Sequence, residues 1–106
     1  MKNILIFGAG RSATALIEYL LDNSIENNWF ITVADFSEVL LKKKVYTSNN
    51  SKGIYFDVSN SNQRVNEIKK ANIVVSMLPT NLHHLVAKDC IEFKKNLVTA
   101  SYVSKK

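Results

Sequence analysis

Cysteine occurs only once in this chain, at Cys90, so an internal disulfide is excluded and a reducing compartment is indicated. Long apolar runs are also absent. The run Ile4–Phe7 is too short for the apolar core of a signal peptide, and no segment approaches the roughly 20 apolar residues of a membrane span. Proline is found once, and no low-complexity stretch or linker divides the chain. We therefore expect a cytoplasmic protein of one domain with no membrane partner.

Signals for metal-dependent or nucleophilic catalysis are missing as well. His83 and His84 are adjacent, so on a helix they point about 100° apart, whereas a helical metal pair needs a spacing such as i and i+4. No Ser-His-Asp order is visible, and we expect no bound metal. Cys90 lies in an apolar helical pattern beside Asp89, and a neighbouring carboxylate disfavours a thiolate. The sequence predicts a buried, unreactive thiol.

Basic residues exceed acidic ones by 14 to 9, which gives a net charge of +5. Such a balance can indicate a nucleic-acid partner. The lysine clusters, however, fall at or just past predicted helix ends, where cations complement the helix dipole: they stand at 42–44, 69–70, 94–95 and 105–106. No aromatic side chains interleave with them as a base-stacking platform would need. We expect no nucleic-acid partner.

A glycine-rich turn near the amino terminus carries the main functional signal. The apolar run Ile4–Phe7 is followed at once by Gly8-Ala9-Gly10-Arg11-Ser12-Ala13, the G-x-G-x-x-A form of a dinucleotide-binding fingerprint. In such a turn Gly8 lets the strand bend sharply into a helix, and Gly10 leaves room for a pyrophosphate. Ala13 lets the helix pack close to the strand.

The backbone N–H groups around Arg11 and Ser12 are expected to face the anion from the positive end of the helix. Arg11 either covers the pyrophosphate or is a solvated residue of the first turn. The alternative to a nucleotide site is a tight strand-to-helix turn with a purely structural role.

An acidic residue follows the second predicted strand. The apolar segment 29–34 ends at Asp35, and a carboxylate there can accept both ribose hydroxyls of an adenosine while repelling a 2′-phosphate. Phe36 follows, where an arginine would favour NADP. The sequence thus predicts NAD as the cofactor, with NADP less favoured. The alternative is that Asp35 only caps the second helix.

Strands and helices alternate along the whole chain. Apolar periodicity predicts strands at 3–7, 29–34, 53–58, 73–78 and 96–100, and helices at 11–22, 37–46, 61–70 and 80–94. Helical crossovers imply a Rossmann-type α/β fold: a doubly wound parallel sheet in the order 3-2-1-4-5, with its ligand crevice between strands one and four.

Further residues border this crevice. Asp57 and Val58 follow strand three, where an adenine would lie, although Asp57 could equally cap the next helix. Leu78, Pro79 and Thr80 follow strand four and are expected to line the nicotinamide ribose. A proline in the first turn of a helix also has a structural explanation.

Five stretches give the chain a family likeness: Ile4–Gly10, Thr32–Asp35, Phe56–Val58, Val74–Pro79 and Val98–Ser104. The most specific are the leucine-proline loop after strand four and the Ala-Ser-Tyr-Val-Ser segment after strand five. On these residues the chain resembles the N-terminal NAD(P)-binding domain of saccharopine dehydrogenase, the glutamate-forming type also called saccharopine reductase.

The resemblance implies oxidoreductase chemistry in lysine metabolism. Saccharopine is oxidised at a secondary amine by hydride transfer to a nicotinamide cofactor, and the imine is hydrolysed to glutamate and aminoadipate semialdehyde. Related carboxynorspermidine and homospermidine enzymes share the domain, which leaves the substrate open. His83, Ser101 and Tyr102 are candidates for the substrate side. The resemblance assigns no catalytic residue in these positions.

Members of this family continue into a substrate domain, so we expect residues 1–106 to form one dinucleotide-binding domain that meets its small-molecule substrate through a missing domain. Alone, it is expected to lack dehydrogenase activity. Strand five would then be an open sheet edge through which a homo-oligomer can form. One other class of protein stays open, a stand-alone NAD(H)-sensing regulatory domain. Such domains carry a similar glycine fingerprint and an acidic residue after the second strand. The segment after strand five favours the enzyme.

Overall fold

The computed structural model describes residues 2–8, 13–45 and 50–99. The elements in these ranges are β1 (Lys2–Phe7), α1 (Thr14–Asp22), α2 (Ser24–Asn27), β2 (Trp29–Asp35), α3 (Glu38–Lys44), β3 (Ser51–Tyr55), α4 (Ser61–Lys70), β4 (Ile73–Ser76), α5 (Thr80–Glu92) and β5 (Asn96–Thr99). The strands form one sheet in the order β3-β2-β1-β4-β5, and every pairing is parallel. This confirms the Rossmann-type topology predicted from the sequence.

The central strand β1 is buried on both faces of the sheet. Ile4 and Ile6 pack in one apolar cluster with residues of α1 and α3, while Leu5 and Phe7 pack in a second cluster with residues of α4 and α5. Successive side chains of a strand point to opposite faces. A parallel strand covered by helices on both sides therefore needs an unbroken apolar run, and Ile4–Phe7 supplies it.

Several boundaries differ from the predicted ones. β3 ends at Tyr55 rather than 58, because Oδ1 of Asp57 accepts hydrogen bonds from the N–H (3.0 Å) and hydroxyl (2.7 Å) of Ser59 and so turns the chain away from the sheet. The short helix α2 was not predicted; it ends where Asn28 takes a left-handed φ of 58°. α5 ends at Glu92, two residues before left-handed Lys94.

Within the described ranges, none of the helices has the length and apolarity to cross a bilayer.

The predicted unreactive thiol lies in the core. Cys90 is 2% exposed within the second apolar cluster. Burial, reinforced by the adjacent Asp89 carboxylate, raises the pKa of Cys90 from 9.0 to about 11, although Lys95 opposes this shift. Very little thiolate is therefore present near neutral pH.

We expect iodoacetamide to alkylate Cys90 at least about 100-fold more slowly in the folded chain than in denaturant. The thiolate is the form that reacts, and raising the pKa from 9.0 to about 11 lowers the thiolate fraction about 100-fold. Since the chain has one cysteine, intact-mass spectrometry reports this site alone. Equal rates in the two conditions would show that Cys90 is accessible and reactive.

Candidate functional site

The carboxyl ends of β1, β2 and β4 meet where the strand order reverses. β1 pairs with β2 on one side and with β4 on the other, and in a parallel sheet such a switch point opens a crevice. Gly8 follows β1 at this point and donates its N–H to the carbonyl of Ala34 at 2.8 Å. On the other side, the N–H of Met77 donates to the carbonyl of Phe7 at 2.9 Å.

The start of the glycine turn has the backbone that its sequence requires. Gly8 adopts a φ of +101°, and a Cβ placed on it would lie 3.3 Å from the carbonyl oxygen of Met77. Only glycine adopts this conformation without strain. Ala13, at the other end of the turn, is 1% exposed and packs among the core residues that contact β1 and α1. Gly8 therefore has the left-handed backbone that the expected bend needs, and Ala13 has the expected close packing.

Some candidate residues fall outside the described ranges. These are Gly10, Arg11 and Ser12 of the glycine turn, together with Ser101 and Tyr102 after β5. Their roles at the pyrophosphate and on the substrate side stay predictions from the sequence.

A cavity of about 300 Å³ opens at the carboxyl edge of the sheet, between the ends of β1, β2 and β3 and the start of α5. It brings together four of the predicted residues, Asp35, Asp57, Val58 and Leu78. The other lining residues are Phe7, Ala34, Phe36, Phe56, Ser59 and Leu82. Apolar walls with a few polar groups are typical of a small-molecule site.

Asp35 is held in a fixed position at the cavity. Its Oδ2 accepts a hydrogen bond from the backbone N–H of Ser37 at 2.8 Å. The cap of α3 is Ser37 instead, whose Oγ accepts from the N–H of Leu40 at 3.2 Å. The alternative role of Asp35 as the helix cap is therefore wrong, because the serine hydroxyl occupies that position. The turn instead fixes the carboxylate beside the cavity.

Asp57 adds a second carboxylate. The hydroxyl and the backbone N–H of Ser59 donate to it, and these bonds lower the pKa of Asp57, so the side chain is anionic at neutral pH. The alternative role of Asp57 as the cap of the next helix is taken by Asn60, whose Oδ1 accepts from the N–H of Gln63 at 3.1 Å. The described lining residues thus include two carboxylates and no lysine or arginine.

Two exposed aromatic rings stand beside the cavity. Phe36 is 70% and Tyr55 51% exposed, and their ring centroids lie 6.0 Å apart. Phe36 lines the cavity. Exposed aromatic faces of this kind can stack against a flat heterocycle.

Past β4, the chain adds Leu78 to the cavity wall and then turns into α5. Pro79 is the N-terminal cap residue of α5, and its carbonyl accepts from the N–H groups of Leu82 and His83, both at 2.9 Å. Pro79 is not among the described lining residues of the cavity, and its position supports the helix-starting role of the proline. The role of Thr80 at the nicotinamide ribose stays a prediction from the sequence. His83 is half-buried, and its Nδ1 lies 2.8 Å from the hydroxyl of the buried Ser76. This bond joins the end of β4 to the first turn of α5.

The family model described as "Saccharopine dehydrogenase NADP binding domain" matches residues 4–106. The chain belongs to this family. It is 35% identical to mitochondrial alpha-aminoadipic semialdehyde synthase from Bos taurus, over 97% of this chain and 11% of that protein. It is 33% identical to saccharopine dehydrogenase [NADP(+), L-glutamate-forming] from Schizosaccharomyces pombe, over 100% of this chain and 23% of that protein. The apo saccharopine dehydrogenase (L-Glu forming) from Saccharomyces cerevisiae superposes with a TM-score of 0.78 at 29% identity, over 96% of this chain and 22% of that one.

These findings confirm the resemblance drawn from the sequence. They favour the saccharopine dehydrogenase domain over the stand-alone sensor. They do not support the predicted preference for NAD, because the family description and the name of the fission-yeast relative both carry NADP. The chain spans between about a tenth and a quarter of the length of these relatives.

Sequence reasoning missed several residues of the saccharopine dehydrogenase domain's cavity. Phe56 and Ser59 flank the predicted Asp57-Val58 pair, and Leu82 lies in the first turn of α5. Phe56 and Leu82 read as ordinary core residues in the apolar pattern. The short spacing from Asp57 to Ser59 was the available signal, since this pair forms a common side-chain turn.

Proposed function

We propose that residues 1–106 form one dinucleotide-binding domain, the NAD(P)-binding part of an oxidoreductase of the saccharopine dehydrogenase type. The observation that carries the proposal is the cavity at the carboxyl edge of the sheet, lined by Phe7, the residue before Gly8, in a chain that matches the family from residue 4 to 106. The reaction proposed for the whole protein is oxidation of the secondary amine of saccharopine to release glutamate and aminoadipate semialdehyde.

The lining residues fit an adenosine moiety. Phe36, Phe56 and Leu82 offer apolar surface for the faces of the base, and Asp35 offers carboxylate oxygens for ribose hydroxyls. The nicotinamide of the bound cofactor supplies the hydride chemistry. The role proposed for this chain is to bind and orient that cofactor. The groups that hold the saccharopine carboxylates are proposed to lie in the parts that the longer relatives have in addition.

Cofactor choice is proposed to depend on Asp35. A 2′-phosphate would bring added negative charge to a cavity whose described lining holds two carboxylates and no cation, and this favours NAD. The names of the family and of the fission-yeast relative favour NADP. The two considerations differ, and titration of the chain with both cofactors distinguishes them directly.

We expect the wild-type chain to bind NADH more tightly than NADPH, and Asp35→Asn to shift the ratio of the two dissociation constants about tenfold toward NADPH. Asparagine keeps an oxygen for the N–H of Ser37 but removes the charge. A tenfold shift corresponds to about 1.4 kcal/mol, a plausible value for one partly screened charge pair. Fluorescence titration with NADH and NADPH measures both constants.

Glu26→Gln is the matched control, because it removes one negative charge from exposed α2, at the opposite edge of the sheet. It should leave the ratio unchanged. An unchanged ratio in Asp35→Asn would remove Asp35 from cofactor selection. Tighter binding of NADPH by the wild-type chain would overturn the NAD preference, while failure to bind either cofactor would overturn the proposed function.

A further inference from the structure

A buried ion pair joins the two helices on one face of the sheet. The Nε of Arg64, on α4, donates to Oδ2 of Asp89, on α5, at 2.5 Å. The side chains of Arg64 and Asp89 are only 4% and 3% exposed. Both groups are therefore removed from water, unlike the exposed Lys70 and its partner Glu67 on α4.

The guanidinium of Arg64 has a second contact, and this one reaches the cavity. Its Nη1 donates to the backbone carbonyl of Val58 at 2.6 Å. Val58 and the next residue, Ser59, form part of the cavity wall. Leu82, on the same helix as Asp89, forms another part. One planar side chain thus connects two walls of the cavity.

One other described hydrogen bond of the loop 56–60 is long-range: the N–H of Phe56 donates to the carbonyl of Asp35 at 2.9 Å and holds the start of the loop to the end of β2. The hydrogen bonds further along the loop are local. Gln63 donates from Nε2 to the carbonyl of Tyr55 at 3.1 Å, and Asn60 caps α4. These contacts hold the loop to the start of α4. Among the hydrogen bonds described for this loop, the one from Arg64 continues through Asp89 to α5.

Stability alone does not explain why this space holds charges. Burying two ions carries a large desolvation penalty, and apolar side chains of similar volume often replace a buried pair with no loss of stability. Apolar side chains cannot, however, donate to the carbonyl of Val58. The pair places a planar guanidinium here, and its separate N–H groups donate to two acceptors at once, the carboxylate of Asp89 and the carbonyl of Val58.

We infer that Arg64 and Asp89 are positioning residues of the proposed nucleotide cavity: Asp89 orients the guanidinium, and the guanidinium fixes the Val58–Ser59 wall relative to α5. This inference rests on the proposed function for the identity of the ligand. The wall contacts the adenosine end of the cofactor, so a wall that is less ordered must be ordered by the ligand on binding, which lowers the affinity.

The test uses the full chain carrying Arg64→Met and Asp89→Leu together. We expect a urea midpoint close to that of the wild type, dissociation constants for NADH and NADPH raised about tenfold, and faster hydrogen exchange at the amides of Ser59 and Asn60. Those amides donate to the side chain and the carbonyl of Asp57. The control is Glu67→Leu with Lys70→Met, which removes the more solvent-exposed pair of the same helix and should change none of these three properties.

A folded double variant with wild-type affinity and wild-type exchange would overturn the inference, because the pair would then act by packing alone. If the double variant does not fold, Arg64→Lys decides. Lysine keeps the charge but lacks the planar guanidinium that donates to two acceptors, so we expect faster hydrogen exchange and weaker cofactor binding. Wild-type exchange together with wild-type affinity in Arg64→Lys would overturn the inference. If the wild-type chain binds neither NADH nor NADPH, the proposed function fails, and hydrogen exchange still decides whether the pair orders the loop.

Discussion

Gly8→Ala is expected to lower the free energy of unfolding by about 1–3 kcal/mol, the typical cost of holding a side chain in a strained backbone conformation. The φ of +101° disfavours any residue with a Cβ, and that Cβ would lie 3.3 Å from the carbonyl oxygen of Met77. A backbone carbonyl at the end of a central strand cannot move aside as a side chain can. Against a total of about 5–15 kcal/mol for a domain, this is a substantial loss. Urea denaturation followed by circular dichroism measures it.

Gly53→Ala is the matched control for this prediction. A Cβ on Gly53 would also meet its nearest neighbour at 3.3 Å, but that neighbour is the end of the flexible Leu41 side chain, and Gly53 has no left-handed φ. We expect a change within about 1 kcal/mol. If the two variants lost the same stability, the backbone conformation at Gly8 would not be the cause.

Breaking the buried ion pair on one side only is expected to have the largest effect on stability. Arg64→Met leaves the carboxylate of Asp89 buried without its cation, and removing one partner of a buried pair costs about 3–5 kcal/mol. Asp89→Leu should be similarly damaging. The combined variant should lose far less than the sum, so the double-mutant cycle should give a coupling energy well above 1 kcal/mol. Additive losses in urea denaturation would mean that Arg64 and Asp89 do not stabilise each other.

The fold was largely predictable because its signals are local in the sequence. The unbroken apolar runs of β1 and β4 indicated central parallel strands, and their alternation with helical periods led to the observed strand order. The position of Asp35 followed from the same order, since the carboxyl ends of parallel strands meet at one edge. The predicted boundaries were less accurate where a polar side chain forms hydrogen bonds with the backbone that would otherwise continue the sheet, as Asp57 does after the end of β3.

The Arg64–Asp89 pair could not be predicted. The two residues are 25 positions apart, and an arginine or an aspartate on a helix is usually a solvent-facing residue. Their burial depends on how α4 and α5 lie on the sheet, which no local pattern encodes. The walls supplied by Phe56 and Leu82 were hidden for a related reason, because apolar residues that line a cavity look the same in sequence as those that fill a core.

The central position of the first strand has a consequence for how the chain folds. β1 comes first in the sequence, yet one of its two edges is completed only by β4, with Ile4 opposite Ile73, 69 positions later. The unit β1–β2–β3 has all its strands before α4 begins, but until β4 pairs with it this unit presents the unpaired, apolar edge of Ile4–Phe7. Such long-range pairing slows folding and exposes an edge that can capture another chain. Rapid closure of that edge by Ile73–Ser76 is therefore expected to determine the yield of refolding.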